Sequence, residues 1–338
     1  TIGNMSAIRL GTRASTLATT QSEMVARLLR SEGLDVDLTT ITTHGDTSTA
    51  SLAAMGGIGV FASAIRATLL KGEADIAVHS FKDLPTGRPL GLAIGAVPAR
   101  ADPRDALVAR DGLTLHDLPQ EASVGTGSPR RAAQLLAVRP DLTIVDIRGN
   151  VDTRLGRVKG LGHYAKGGGK EDLDAVVLAA SGLARLGHSG TVTEFLDPSV
   201  VLPAPAQGAL AVECRTADSR HGKLAKALAR IDDRRTRLAA TAERAVLSHL
   251  EAGCAAPIGA LAQLKPVSGS SPQVLTLDVV VATVDGSRII REQVSVELPA
   301  EVDSALAAAH TLGVTAAEEL LDDGAADVAD LKASGSTR

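Results

Sequence analysis

Short apolar runs alternate with amphipathic stretches through the first 205 or so residues of the chain. "SAIRLGT" reads as a strand, followed by a helix with Leu17, Met24, Val25, Leu28 and Leu29 on one face. "VDLTTI" reads as a second strand, "GVFASAIRATLLKGE" as a helix and "ADIAVHS" as a buried strand. Further strands are expected at "LGLAIGAV", "DALVAR", "ASVGT", "LTIVDIR" and "LDAVVLAA". This alternation predicts parallel-rich α/β domains. Proline and charge interrupt it at residues 98–105, "PARADPRD", which reads as a domain break. After "LPAPAQG", residues 202–208, the character changes. Two alternating segments around an Asp-Gly pair predict a β-hairpin, and a helical pattern follows from Val302 to Leu321. The tail therefore reads as a small α+β domain. No internal repeat stands out, and "AKGGGKED" reads as a loop.

A length of 338 residues accommodates two or three domains, and 44% hydrophobic with 22% charged residues is a globular composition. With no Trp, one Tyr and three Phe, stacking platforms for nucleic-acid bases are scarce. A formal net charge of −4 likewise argues against a nucleic-acid binder. No apolar run approaches the roughly 20 residues needed to cross a membrane. The N-terminus lacks the charged-then-apolar pattern of a secretion signal, so a cytoplasmic protein is expected. Two cysteines, Cys214 and Cys254, fit free thiols in a reducing compartment better than a disulfide framework. They form no cluster with zinc-ligand spacing, so no metal is expected.

Charge placement narrows the picture further. Residues 124–160 hold seven basic side chains against three acidic ones, within an acidic protein. "GTGSPRRAAQLL" opens a helix with Ser128 as N-cap, Pro129 in the first position and Arg130 and Arg131 directly after. Two positive charges at a helix start oppose its dipole unless an anion is present. Arg148 follows "LTIVDI", Arg13 follows "AIRLGT", and Lys82 and Asp83 follow "DIAVHSF". In α/β sheets, ligands bind beyond the carboxyl ends of the strands, and arginine grips carboxylate or phosphate with paired bonds. Each arginine taken alone reads as solvated surface charge, but the shared placement points to a ligand with several anionic groups. No Walker-type glycine-lysine loop is present, which disfavours a nucleotide triphosphate. By spacing alone Lys82–Asp83 is a surface ion pair. Cys254, in the small-residue stretch "LEAGCAAPIG", is either a buried hydrophobe or a thiol within reach of a ligand, whereas Cys214 in "ALAVECR" fits a strand interior.

Seven stretches in this order, "IRLGTRAS", "ADIAVHSFKDLPT", "ARADPRDAL", "VGTGSPRRAAQL", "DIRGNVDTRL", "LPAPAQGALAVECR" and "EAGCAAPIG", closely resemble the porphobilinogen deaminase, or hydroxymethylbilane synthase, family. The resemblance runs from Ala7 to the C-terminal helix. It implies two α/β lobes like those of type II periplasmic binding proteins around a cleft, plus a small α+β domain. Domain 1 would take residues 1–98 with 207–227, domain 2 residues 104–200, and domain 3 residues 231–338. The implied activity is a transferase that joins four porphobilinogen molecules head to tail, releasing ammonia each time. Growth would occur on a dipyrromethane cofactor held by thioether to Cys254, and water would release hydroxymethylbilane. Asp83 matches the catalytic carboxylate. Lys82, Ser80, Thr126, Ser128, Arg130, Arg131 and Gln207 match the cofactor shell. Arg13, Ser15, Arg148, Arg154 and Arg185 match substrate-binding positions, with Phe61 at a stacking position and Arg100 near the hinge. The resemblance also implies a cytoplasmic monomer whose partner is a small molecule.

Two departures from the family pattern stand out: Ile58 where relatives carry lysine, and a longer connection at "GHYAKGGGKEDLD". A non-enzymatic two-lobed anion-binding protein and a phosphoribosyltransferase are the competing readings. Neither gives a reason for Cys254 in a third domain.

Overall fold

Aliphatic runs flanked by turn residues become the central strands of two five-stranded sheets. The structure is a computed structural model that describes residues 7–41, 59–87, 89–250, 256–265 and 273–329. The chain forms two compact units, Thr1–Ala101 with Ala209–Arg237, and Asp102–Gly208 with Leu238–Arg338. Among the described residues no helix is long and apolar enough to cross a membrane.

In the first unit the strand order is β2 (Val36–Thr40), β1 (Ile8–Thr12), β3 (Ile76–Ser80), β10 (Leu210–Arg215) and β4 (Leu92–Ala96). β1, β2 and β3 run parallel, and β10 pairs antiparallel with both β3 and β4. Helix α1 (Thr16–Ser31) starts where the Ser15 hydroxyl accepts the Ala18 N–H. Its buried stripe is Gln21, Ser22, Val25, Ala26 and Leu29, while Met24 and Leu28 stay exposed. The apolar face read from the sequence is thus rotated. Spacing of three and four through Ser22, Val25, Ala26 and Leu29 faces the sheet, and Gln21 is buried because its amide pairs with Ser80. Leu10, Val25, Ile76, Val212, Cys214 and Leu228 form the core on this side. Helix α2 (Gly59–Leu70) packs Ile65 and Leu69 near Ala74 and Ala77. There Arg66 Nε donates to both oxygens of buried Glu213, at 3.0 and 3.2 Å.

The second unit holds two sheets. The first has the order β7 (Thr143–Val145), β6 (Ser123–Gly125), β8 (Ala175–Ala179), β5 (Asp105–Ala109) and β9 (Glu194–Phe195). β6, β7 and β8 are parallel, while β5 runs antiparallel to β8. β5 is buried on both faces: Leu107 packs with Val124, Leu135 and Val177, and Val108 packs with Ile147, Val176 and Leu183. The parallel strands lead into α3 (Pro129–Val138), α4 (Val151–Leu155) and α5 (Ala180–Arg185). The second sheet is the antiparallel β11 (Ile258–Leu264), β12 (Val274–Ala282) and β13 (Ile289–Glu297), with the expected turn at Asp285–Gly286. Two helices that the sequence pattern did not mark, α6 (Gly222–Ile231) and α7 (Arg234–His249), follow β10, and the expected final helix is α8 (Val302–Asp322). α7 and α8 share a core with β11 and β12. Two α/β lobes with a small α+β part are therefore the class observed.

Gly127, between β6 and α3, has a Cβ position 2.6 Å from the Ile147 carbonyl oxygen. Only glycine lets this loop lie against the loop after β7. Gly127→Ala should force the two loops apart and lower stability by about 1–3 kcal/mol, the usual range for overpacking, read from urea unfolding. An unchanged midpoint would contradict the close approach.

Candidate active-site groups

In the first unit the candidate groups sit at the carboxyl edge of neighbouring parallel strands β1 and β3. Arg13 and Ser15 follow β1, and the Ser15 hydroxyl is occupied in capping α1. Ser80 ends β3, and its Oγ accepts from Gln21 Nε2 at 2.9 Å. A single 3-10 turn, Phe81–Asp83, comes next. Phe81 and Leu84 are buried at either end of it, and the Phe81 N–H donates to the Ala209 carbonyl at 3.0 Å. Two apolar anchors therefore hold Lys82 half-buried and Asp83 exposed on a short, fixed turn. Arg100 is half-buried, with its N–H bonded to Thr236 Oγ1 at 3.0 Å. The side chain of Phe61, and Cys254 and Ile58 altogether, lie outside the described residues.

In the second unit the three parallel strands end at one edge, and each is followed by arginine: Arg130 and Arg131 after β6, Arg148 and Arg154 after β7, Arg185 after β8. Thr126 is buried, and its Oγ1 accepts the Ser128 N–H at 3.2 Å. Ser128 caps α3 by accepting the Arg131 N–H. The anion that the helix start calls for is within the chain. Asp105 begins antiparallel β5 opposite Ala179, the last residue of β8, so it arrives at this same edge. Arg130 Nη1 donates to Asp105 Oδ2 at 2.8 Å, and Arg131 Nε and Nη2 donate to Asp105 Oδ1 at 2.9 and 2.7 Å. Gln207 Nε2 donates to the same Oδ1 at 2.9 Å. All four side chains are buried. Burial on its own would raise the Asp105 pKa, but two guanidiniums and their hydrogen bonds outweigh it and hold the carboxyl below its usual range.

Arg148, Arg154 and Arg185 are held differently. Arg148 is exposed, 3.5 Å from Asp146. Arg154 donates from Nε to the Gly149 carbonyl at 2.8 Å. Burial, then the nearby charges of Arg131 and Arg148, push its pKa down and outweigh the opposing pull of the Asp146 carboxylate. Arg185 gives one bond to the Gly208 carbonyl at 2.7 Å, while its buried Nε has no hydrogen-bond partner among the described residues. Burial lowers its pKa to about 10, which leaves it charged at neutral pH. Neither Arg154 nor Arg185 forms an ion pair among the described residues. The second unit thus carries an arginine pair half-neutralised by one buried carboxylate and, beside it, positive charge suited to an anionic ligand.

Sequence reasoning missed Asp105, although a lone carboxylate opening a wholly apolar strand is a signal. It also missed Glu243. That buried side chain accepts N–H bonds from Ala206 at 2.5 Å and Ala262 at 2.8 Å, and Ala206 holds a positive φ of 62° just before Gln207. Cys214 lies in the core of the first unit, where burial raises its thiol to about 11.

Two family models match the chain: the porphobilinogen deaminase dipyrromethane-cofactor-binding domain over residues 8–223 and the porphobilinogen deaminase C-terminal domain over 237–322. A porphobilinogen deaminase of Cutibacterium acnes is 96% identical, covering 99% of this chain and all of its own length. One of Micrococcus luteus is 51% identical over 95% of this chain and 94% of its own. Among solved structures, apo YehZ of Escherichia coli matches 68% of this chain and 86% of its own, at 13% identity and a TM-score of 0.40.

Removing charge from the α3 start should not stabilise the protein, since it takes a guanidinium and two hydrogen bonds from a buried carboxylate. Arg131→Leu and Asp105→Asn should each cost about 3–5 kcal/mol in denaturant unfolding, the range for breaking a buried pair. Exposed Arg148→Leu should stay within about 0.5 kcal/mol of the parent. Because the folded Asp105 carboxyl titrates below its unfolded value of about 3.9, its stabilisation is full above that pH and is lost as pH falls further. Asp105→Asn should accordingly flatten the acid limb of the stability profile.

Proposed function

The chain belongs to the porphobilinogen deaminase family, and from that premise we propose that it builds a linear tetrapyrrole, joining four porphobilinogen molecules head to tail with loss of ammonia and releasing the product with water. The observation that carries this reading onto the chain's own residues is the pair Arg154 and Arg185, desolvated guanidiniums without carboxylate partners among the described residues. Each porphobilinogen bears an acetate and a propionate, so a growing chain presents many carboxylates. Charge-assisted bonds from fixed arginines are the fitting complement. A non-enzymatic anion-binding protein gives way to this reading, because the family in question is one of deaminases.

The same donor set fits a dipyrromethane, whose two rings bring carboxylates of the same kind. Cys254 would hold it by thioether, with Lys82, Ser80, Thr126, Ser128, Arg130, Arg131 and Gln207 around it. When bound, the dipyrromethane supplies a covalent primer with a pyrrole carbon open to the next unit. Arg130 and Arg131 serve this shell with the N–H groups that Asp105 does not use. Arg13, Ser15, Arg148, Arg154, Arg185 and Arg100 orient substrate carboxylates, and Phe61 offers a ring face. Asp83 does the proton work. On its anchored turn it hydrogen-bonds the substrate as ammonia departs, and its negative charge favours the positive charge developing on the pyrrole. In this reading the enzyme is a cytoplasmic monomer acting on a small molecule; the paucity of cysteines supports the reducing compartment alone.

Intact mass of the purified protein should show a dipyrromethane adduct that Cys254→Ala abolishes and Cys214→Ala retains. An adduct surviving in Cys254→Ala would refute the attachment. Asp83→Asn, loaded with cofactor, should release ammonia about 10²–10⁴-fold more slowly. Asp83→Glu should keep partial activity, since the charge remains though displaced by a methylene. Near-normal turnover by the loaded Asn variant would assign the chemistry to another group.

A further inference from the structure

We propose that His188 is a positioning residue: through Asp152 it latches α5 to α4, so that Arg185 and Arg154 are held as one ligand-gripping pair. The proposal rests on the reading of these arginines as substrate-binding groups. α4 has five residues and α5 six, and each carries its arginine in the last turn. Helices this short are not stable on their own hydrogen bonds, so the aim of their side chains depends on what ties them down.

The tie is built at the end of α5. Gly187 adopts a φ of 76°, its N–H donates to the Ala184 carbonyl at 3.1 Å, and the His188 N–H donates to the Leu183 carbonyl at 2.8 Å. This double closure, a Schellman motif, fixes the His188 backbone three residues beyond Arg185. Asp152 lies in the first turn of α4, just after Asn150, whose Oδ1 accepts the Thr153 N–H at 2.8 Å. His188 Nε2 is 2.7 Å from Asp152 Oδ1. One bond therefore joins the start of α4 to the end of α5, with Arg154 two residues along from one partner.

The latch has a wall. Tyr164 stands edge-on to His188, with ring centroids 5.1 Å apart at 87°, and His163 packs on Tyr164 at 4.4 Å. Both belong to "GHYAKGGGKEDLD", the long connection marked in the sequence. That segment folds back on the end of α4: the Glu171 N–H donates to the Gly156 carbonyl at 3.3 Å, and Glu171 Oε1 accepts the Gly160 N–H at 2.8 Å. The extra length thus acquires a purpose, packing a tyrosine ring edge-on against the imidazole. Asp152 is 41% exposed, so the pair contributes little to folding stability and acts mainly on geometry.

Steady-state assays of the cofactor-loaded enzyme with porphobilinogen test this. His188→Ala and Asp152→Ala should each raise KM about three- to tenfold with kcat nearly unchanged, and the double variant should be no worse than either. His188→Gln, whose amide can still donate to Asp152, should recover most of the loss. Arg154→Leu and Arg185→Leu run alongside. If they raise KM while the His188 and Asp152 variants do not, the latch is overturned and the arginine reading stands. Multiplying effects in the double variant, or no rescue by glutamine, would also overturn the latch. If the arginine variants leave KM unchanged, the arginine reading falls and the latch with it.

Discussion

Two guanidiniums cannot be buried side by side at a helix start unless a carboxylate is buried with them, and much of the second unit follows from how Asp105 meets that demand. An antiparallel β5 brings its first residue to the carboxyl edge of the parallel strands, where a parallel β5 would deliver its last. The wholly apolar remainder of that strand fixes the carboxylate's height in the sheet. Gln207 completes the acceptor's coordination, and its place in turn depends on Ala206, held by Glu243 in a backbone conformation that non-glycine residues seldom adopt. From Glu243 the chain of contacts reaches β11 through Ala262. Buried ionic clusters of this kind add little net stability, and a unique arrangement of the edge is what this one provides.

Most strands were legible because aliphatic runs between turn signals report burial directly; two-residue β9 is too short to show a pattern, and β11 was not marked. The hairpin β12–β13 and helix α8 were legible for the same reason. α7 was missed because "RRTRLAATAERAVLSH" is rich in alanine and charge and shows a weak apolar stripe. The face of α1 was misjudged because a glutamine paired with Ser80 can be buried as readily as a leucine. Motif order marked Asp83 and the arginines as candidates, and the placement of the arginines after strands pointed to an anion. The pattern could not tell that Arg130 and Arg131 already have theirs, because Asp105 lies about 25 residues earlier and meets them only through sheet topology. Local spacing is silent on such pairings.

The arginines of this edge therefore fall into two sorts. Arg130 and Arg131 shape the floor, and their charge is largely committed. Arg154 and Arg185 are half-buried and form no ion pair among the described residues, so partial desolvation lowers the pKa of each. In the proposed function that arrangement would be preorganised, a ligand meeting donors already oriented and partly desolvated.

Depth also sets how each contact answers to dissolved ions. Mobile salt screens charges across water within about 8 Å at physiological strength, yet penetrates buried pairs poorly. Arg148, open to solvent, would offer an attraction that fades as ionic strength rises. Arg185, enclosed with a single carbonyl for company, would hold its carboxylate through the same change. In the proposed function, long-range capture and final grip would thus fall to different side chains, one tuned by the medium and the other shielded from it.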